Sequence, residues 1–406
     1  VTYGRDRRVA AWCREHGIRW TEIPQNGVVR PLRDRDGWSR RWRRRMVAPQ
    51  EPAPDRITPA PVSADLDHGV LRSPDELGLG PSTKTDVQPG GARAAGEVLR
   101  SFLHLRGENY RADMSSPVTG WDGCSRLSVH LAWGSLSIRR AFQALEARRA
   151  ELEELPAPER GPLWLPSLVS FGARLRWHCH FIQKLEDEPE MEFRNLNRTF
   201  DGLREDAFDQ ERFEAWCEGR TGYPMVDASM RCLHRHGWVN FRMRAMLVSF
   251  ASYHLWLHWR PTAVYLARHF LDFEPGIHFS QFQMQSGVTG INTVRIYSPI
   301  KQAHDQDPRG EFIRRYVPEL AAVEDEHLAE PHRMSAAAQD RAGCRIGRDY
   351  PAPIVDHATA YREARERMRE ARRRDGAREE AQRVYEKHGS RKRPGQRRQR
   401  RKETRS

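Results

Sequence analysis

Residues 221–231 read TGYPMVDASMR, and residues 237–244 continue with GWVNFRMR. The first run leaves a Thr-Gly-Tyr-Pro turn and enters a stretch with apolar residues three and four apart, the period of an α-helix. Gly237 is placed to end that helix, because glycine enters the left-handed region without a Cβ clash. Residues 240–259 (NFRMRAMLVSFASYHLWLHW) are apolar nearly all round, which suits a helix buried inside an all-helical domain. The same spacing predicts helices over 95–105, 125–150, 166–185, 226–236 and 262–271. Strand signals are few between 94 and 325, so the fold class is mainly α. Arg242 and Arg244 break the apolar character of 240–259. A buried unpaired charge costs several kcal/mol, so each Arg needs an anionic partner, and a structural salt bridge would supply one.

The ends differ from this centre. Of 406 residues, 68 are Lys or Arg and 55 are Asp or Glu, a net charge of +13. Residues 1–45 contribute +8 and residues 361–406 contribute +11, so the stretch between them is acidic. The global charge is therefore weak evidence that the centre binds nucleic acid. Residues 5–16 read as a helix closed by Gly17, and IRWTEI at 18–23 reads as a strand. With Val1 at the start, residues 1–47 read as the C-terminal αβ unit of a doubly wound α/β domain whose earlier part is absent. Residues 48–93 are rich in Pro, Asp and Gly and read as a linker. The helical domain is expected over 94–330, an extension with a charged helix over 331–388, and a basic disordered tail over 389–406. No run of about 18 apolar residues is present, which excludes a helical membrane span. Six scattered cysteines without C-x-x-C spacing argue against a zinc ribbon or disulfide framework and point to a reduced cytoplasm.

Three segments carry chemistry. Asn109–Ser128 (NYRADMSSPVTGWDGCSRLS) places small hydroxyl residues before an apolar helix, an arrangement that binds phosphate or simply caps the helix through Ser125. The second segment is the quoted one with Arg242 and Arg244. In the third, Leu271–Gly287 and Thr289–Pro299, the polar residues Asp272, Glu274, His278 and Arg295 stand among aromatics. These could equally form a satisfied polar network between helices.

Taken in order, the three segments resemble the photolyase/cryptochrome family, specifically its helical FAD-binding domain. TGYPMVDASMR with its following GW is the most specific piece, and DPRGEFIR (307–314) and VPEL (317–320) also match. The resemblance covers roughly 95–330. It implies a bent FAD, with an antenna chromophore left unspecified, and a monomer acting on damaged DNA. It places Tyr110, Phe171, Phe273 and His178 beside the cofactor. It gives the pyrophosphate to Cys124, Ser125, Arg126, Leu127 and Ser128, with Cys124 standing where the family often has Thr. Arg244 and Asp272 match an ion pair beside the flavin ring, and Glu274 replaces a second Asp. His278 stands where repair enzymes usually have Asn, and its charge is expected to vary near neutral pH.

By the same resemblance Trp259 matches the middle of a tryptophan electron path. The flavin-proximal position is Phe282 and no Trp falls near 206, so Trp238, Trp256, Tyr253 and Tyr297 are alternative carriers. Trp177 and Met284 occupy the positions of lesion-pocket aromatics, Arg174 that of a pocket Glu, and Arg242 that of a DNA-contacting Arg. Two activities follow from this pattern. One is a DNA photolyase that splits cyclobutane pyrimidine dimers by light-driven electron transfer. The other is a cryptochrome-like blue-light photoreceptor. A cofactor-free scaffold is the third possibility, and retention of Arg244 and Asp272 speaks against it.

Overall fold

The computed structural model describes residues 2–52, 54–59, 69–206 and 208–389. Among them every regular element is a helix, apart from one isolated bridge between Ile346 and Tyr350. Helix α1 (Thr2–Glu15) leads into residues 18–23, the expected strand. That segment has no regular structure and no ladder partner among the described residues, and Ile18, Trp20 and Ile23 are exposed. β-propensity alone does not make a strand where no second strand accepts its N–H groups.

Helix α2 (Trp38–Val47) follows. Its Trp38, Trp42 and Met46 recur four apart and are buried, while Arg40, Arg43 and Arg44 point outward. Burying each of those apolar side chains contributes about 1.5–3 kcal/mol. They join a core with α3 (Gly91–Ser101), α4 (Ile138–Glu154) and α5 (Trp164–Asp187). The preceding segment is pinned to α5 by a buried amide. Gln183 accepts from the Val29 N–H at 2.7 Å and from the Trp38 indole at 3.2 Å, and donates to the Val29 carbonyl at 3.0 Å.

A second, larger core is built on α6 (Pro224–His236), α7 (Phe241–Ser249), α8 (Trp259–His269) and α9 (Pro275–Gln285). Helices α10 (Glu311–Tyr316) and α11 (His357–Ala371) add to it, and α12 (Ala377–His388) lies beside residues 198–200. The two cores meet where α5 packs on α9. There a Cβ on Gly276 would sit 2.5 Å from the Ile182 Cα, so only glycine allows this approach.

Two predicted helices are divided. The 125–150 stretch splits into Ser128–Ala132 and α4, because Gly134 takes φ 70 and Ser137 caps α4 by accepting from the Arg140 N–H at 3.1 Å. The 240–259 stretch ends α7 at Ser249, continues as a π-turn over Phe250–His254, and breaks at Trp256, whose φ is 56. Pro261 then lies in the first turn of α8, where a missing N–H is tolerated. The charged 356–388 stretch is α11 and α12, the former capped by Asp356. The expected basic tail lies outside the described residues from 390 onward. No helix among the described residues is long and apolar enough to cross a membrane.

Candidate cofactor and nucleic-acid site

The site forms at the seam between the two cores. Helix α7 carries Arg244, whose Nη1 and Nη2 donate to the two Asp272 carboxylate oxygens, each at 2.9 Å. Its Nε donates to the Val239 carbonyl at 2.7 Å, and its guanidinium lies 4.2 Å from the Phe270 ring centre. The Asp272 side chain is 3% exposed. Gly237 sets its position: the Leu271 N–H donates to the Gly237 carbonyl at 2.9 Å, and a Cβ there would meet Leu271 Cγ at 2.4 Å. Arg244 thus has an anion. Arg242 does not: it donates to the Ser115 hydroxyl at 3.0 Å and forms no ion pair among the described residues.

Helix α9 adds Glu274 and His278. Glu274 caps the helix by accepting from the Gly276 N–H at 3.4 Å, and burial raises its pKa. Phe273 is half-buried with its ring 5.1 Å from that of His278. His278 donates from Nε2 to the Ala263 carbonyl at 2.8 Å, and burial brings its pKa down to about 4. The expected change of charge near neutral pH therefore does not occur, because a desolvated imidazolium is disfavoured. With Nε2–H committed, Nδ1 remains as an acceptor. Phe282 stacks a tilted ring 4.6 Å from His278.

The other wall is the turn 122–128. Arg106 gathers its carbonyls, donating to those of Asp122 at 2.6 Å, Cys124, and Ser125 at 2.9 Å. This draws the carbonyls to one side of the turn. Sequence reasoning missed Arg106; the signal was an Arg closing the apolar helical run Phe102–Leu105. Among the described residues Ser125 accepts only from the Leu127 N–H, at 3.4 Å, so it does not cap the following helix in the usual way. Cys124 is a neutral thiol, its pKa pushed up to about 12 by burial. Leu127 is buried, and the Ser128 hydroxyl has no protein partner among the described residues. Tyr110 packs edge-on against Phe102 and Phe171, with ring centres at 5.4 and 6.2 Å.

Arg126 is the most telling residue of the turn. It adopts φ 58, and its guanidinium lies 4.1 Å from the ring centres of both Trp121 and Trp238. Among the described residues, the guanidinium's only hydrogen bond is a 3.4 Å contact to the Trp121 carbonyl, its Nε is buried without a partner, and no carboxylate pairs with it. Burial brings its pKa down to about 10. A partly desolvated cation without an anion among the described residues, two residues before Ser128, fits a phosphodiester oxygen.

Farther out, residues 114–115 gather several polar side chains. Asn240 donates to the Met114 and Ser115 carbonyls at 3.2 and 3.0 Å, and Arg242 reaches Ser115. Arg174 lies 3.8 Å from the Met114 sulfur and covers the Trp177 ring at 4.8 Å. Residues 114–115 thus bring Arg174, Trp177 and Arg242 to one rim, where Trp177 is 47% and Phe241 54% exposed. His178, next to Trp177, is half-buried, with its Nδ1 buried and unpartnered among the described residues and desolvation bringing its pKa to about 4. Met284 is half-buried on the last turn of α9.

The three tryptophans among the candidate electron carriers differ in surroundings. The buried Trp259 indole donates to Asn195 Oδ1 at 2.7 Å, and Asn195 donates to Asp201 at 2.9 Å. Trp256 is faced by the guanidiniums of Arg204 at 4.4 Å and Arg367 at 4.8 Å. Trp238 faces Arg126 at 4.1 Å and Arg244 at 6.0 Å.

Residues 171–370 match the family described as the FAD binding domain of DNA photolyase. A deoxyribodipyrimidine photo-lyase of Alkalihalophilus pseudofirmus is 31% identical over 268 residues, covering 66% of this chain and 53% of that protein. The crystal structure of a class III photolyase from Agrobacterium tumefaciens superposes with TM-score 0.64 at 28% identity, covering 71% of this chain and 57% of the other. A Synechocystis cryptochrome structure gives TM-score 0.66 at 25% identity, covering 75% and 62%. The chain spans about half the length of the curated relatives it matches.

Proposed function

The chain belongs to the photolyase/cryptochrome family, and from that premise we propose that it is a FAD-dependent blue-light DNA photolyase. Its substrate is a cyclobutane pyrimidine dimer in DNA, and it works as a monomer. The single observation that carries the cofactor reading is Arg126, a half-buried cation with a buried, unpartnered Nε and no anion of its own among the described residues. Arg126, Ser125 and Ser128 hold the pyrophosphate, with Cys124 and Leu127 lining it. Arg244, Asp272, Phe273, Glu274 and His278 hold the ring system, with Tyr110, Phe171 and His178 closing the wall. Bound FAD supplies a light-absorbing one-electron donor.

The protein's own part is to orient and to exclude water. The Arg244–Asp272 fork is fixed by the Val239 carbonyl and the Phe270 ring, so its polar atoms are positioned before anything binds. His278 stays neutral and offers one acceptor nitrogen. Around residues 114–115, Trp177 offers a face to the extruded pyrimidine dimer, Arg174 and Arg242 meet phosphates, and Met284 lines the pocket. Among the tryptophans, Trp259 is the hole carrier: its N–H points at an amide oxygen that is itself linked to a carboxylate. Trp256 and Trp238 face guanidiniums, which oppose a positive hole.

The photoreceptor reading draws on one feature, the Arg174 guanidinium lying over Trp177 where a base would stack. Light-dependent repair of a dimer-containing oligonucleotide by the reduced protein separates the two. Turnover in light and none in the dark supports the photolyase. Tight FAD binding without turnover would remove it in favour of the photoreceptor.

A further inference from the structure

Part of the expected linker is built into the site. The Thr85 N–H donates to the Arg235 carbonyl at 2.8 Å, at the end of α6. Asp86, at φ 54, accepts from His236 Nδ1 through its carbonyl at 3.2 Å, and its carboxylate pairs with Arg235 at 3.3 Å. The His236 ring packs edge-on against Trp121 at 4.9 Å, and Trp121 packs against Trp238 at 5.6 Å. The Arg126 guanidinium sits in the corner of this edge-on pair, 4.1 Å from each ring centre. Two residues on, Gln88 Nε2 reaches the Arg126 carbonyl and His130 Nε2, each at 2.9 Å. One amide N–H serves each acceptor if His130 is the neutral Nδ1–H form, and burial lowers the His130 pKa.

The arrangement has a direct consequence for Arg126. A non-glycine residue in the left-handed region is held there only by its surroundings. Gln88 holds the carbonyl of that residue, and Asp86, through His236, steadies the ring on which its guanidinium stacks. The strap therefore fixes both ends of Arg126: its backbone conformation and the aim of its side chain.

We propose that residues 85–88 are a positioning strap of the cofactor site, with Gln88 the positioning residue that aims the Arg126 guanidinium at the diphosphate of a dinucleotide. This rests on the FAD reading above and adds a segment outside the 95–330 resemblance. The test uses the full chain with FAD as the probe, and measures the FAD dissociation constant by flavin fluorescence. Gln88→Met keeps the length of the side chain and removes its donors. It should weaken FAD binding about five- to ten-fold, the size of one lost hydrogen bond. In an Arg126→Lys background, where a flexible ammonium replaces the aimed fork, the same change should cost less than about two-fold.

Urea unfolding of the FAD-free proteins controls for folding, since a merely structural Gln88 would lower the midpoint and leave the two FAD effects additive. Equal FAD affinity of wild type and Gln88→Met, or an additive double-mutant cycle, overturns the strap alone. A wild-type protein that takes no FAD overturns the cofactor reading, and the strap with it.

Discussion

Replacing Asp272 by Asn removes one charge at constant size, and the structure fixes what that leaves behind. Arg244 donates two 2.9 Å bonds to the Asp272 oxygens, one of which an amide oxygen can still accept. The other donor then faces the amide NH2, and the guanidinium has no counter-charge. Breaking a fully buried pair costs about 3–5 kcal/mol. Here the Arg244 side chain is 23% exposed and keeps the Val239 carbonyl and the Phe270 ring, so the cost is about 2–3 kcal/mol. Equilibrium urea unfolding of the FAD-free protein reads this as a lower midpoint at unchanged slope. The double variant Arg244→Met, Asp272→Leu should recover much of that stability, because no orphaned ion remains. Both variants should still lose FAD affinity, since each lacks the fork that meets the ring. If Asp272→Asn unfolds within about 0.5 kcal/mol of wild type and binds FAD as tightly, the pair is neither buried enough nor close enough to matter.

Three further outcomes follow from the same geometry. A unit positive charge on Trp256 would lie 4.4 Å from the buried Arg204 guanidinium, which opposes it by about 4 kcal/mol at an effective dielectric of 20. Trp259→Phe should therefore abolish photoreduction of bound FAD while Trp256→Phe leaves it near wild type; the reverse result would refute the assignment. His178, His234 and His278 have pKa values brought to about 4 by burial, below the unfolded value near 6.5. The unfolded chain thus binds more protons between those limits, so stability is full above about pH 6.5 and falls as pH drops toward 4. A urea midpoint that stays flat from pH 7.5 to 5 contradicts this. Trp177→Ala removes an exposed stacking face worth about 1–3 kcal/mol per base, so dimer-containing DNA should bind about ten- to a hundred-fold more weakly, with undamaged duplex little changed. Equal losses on both DNAs would show that the ring contributes no recognition.

What could be read from the sequence follows the range of each interaction. Helical periodicity is local, so the amphipathic faces of α5 and α6 were legible, as was the stop at Gly237. The demand of Arg244 for an anion was legible too, because burial of a charge is readable from its apolar neighbours, and Asp272 supplies it. The breaks at Trp256 and Gly134 were not, since an apolar run looks alike whether it continues as helix or turns within a core. Nor was the strand error avoidable: IRWTEI has strand composition, but a strand exists only with a partner. The expected linker shows the limit most clearly. Residues 84–88 (KTDVQ) have no period and no apolar face, so nothing local marks them. Their role arises from pairings with Arg126, 38 residues away, and with Arg235 and His236, about 150 residues away. Arg126 itself was legible only as part of a motif. Its left-handed φ and its two tryptophan walls, from residues 121 and 238, come together only after both cores have formed. A site assembled at a seam is therefore specified by the fold as a whole. For the same reason, substitutions in the strap, far from any motif, should act on cofactor affinity before they act on stability.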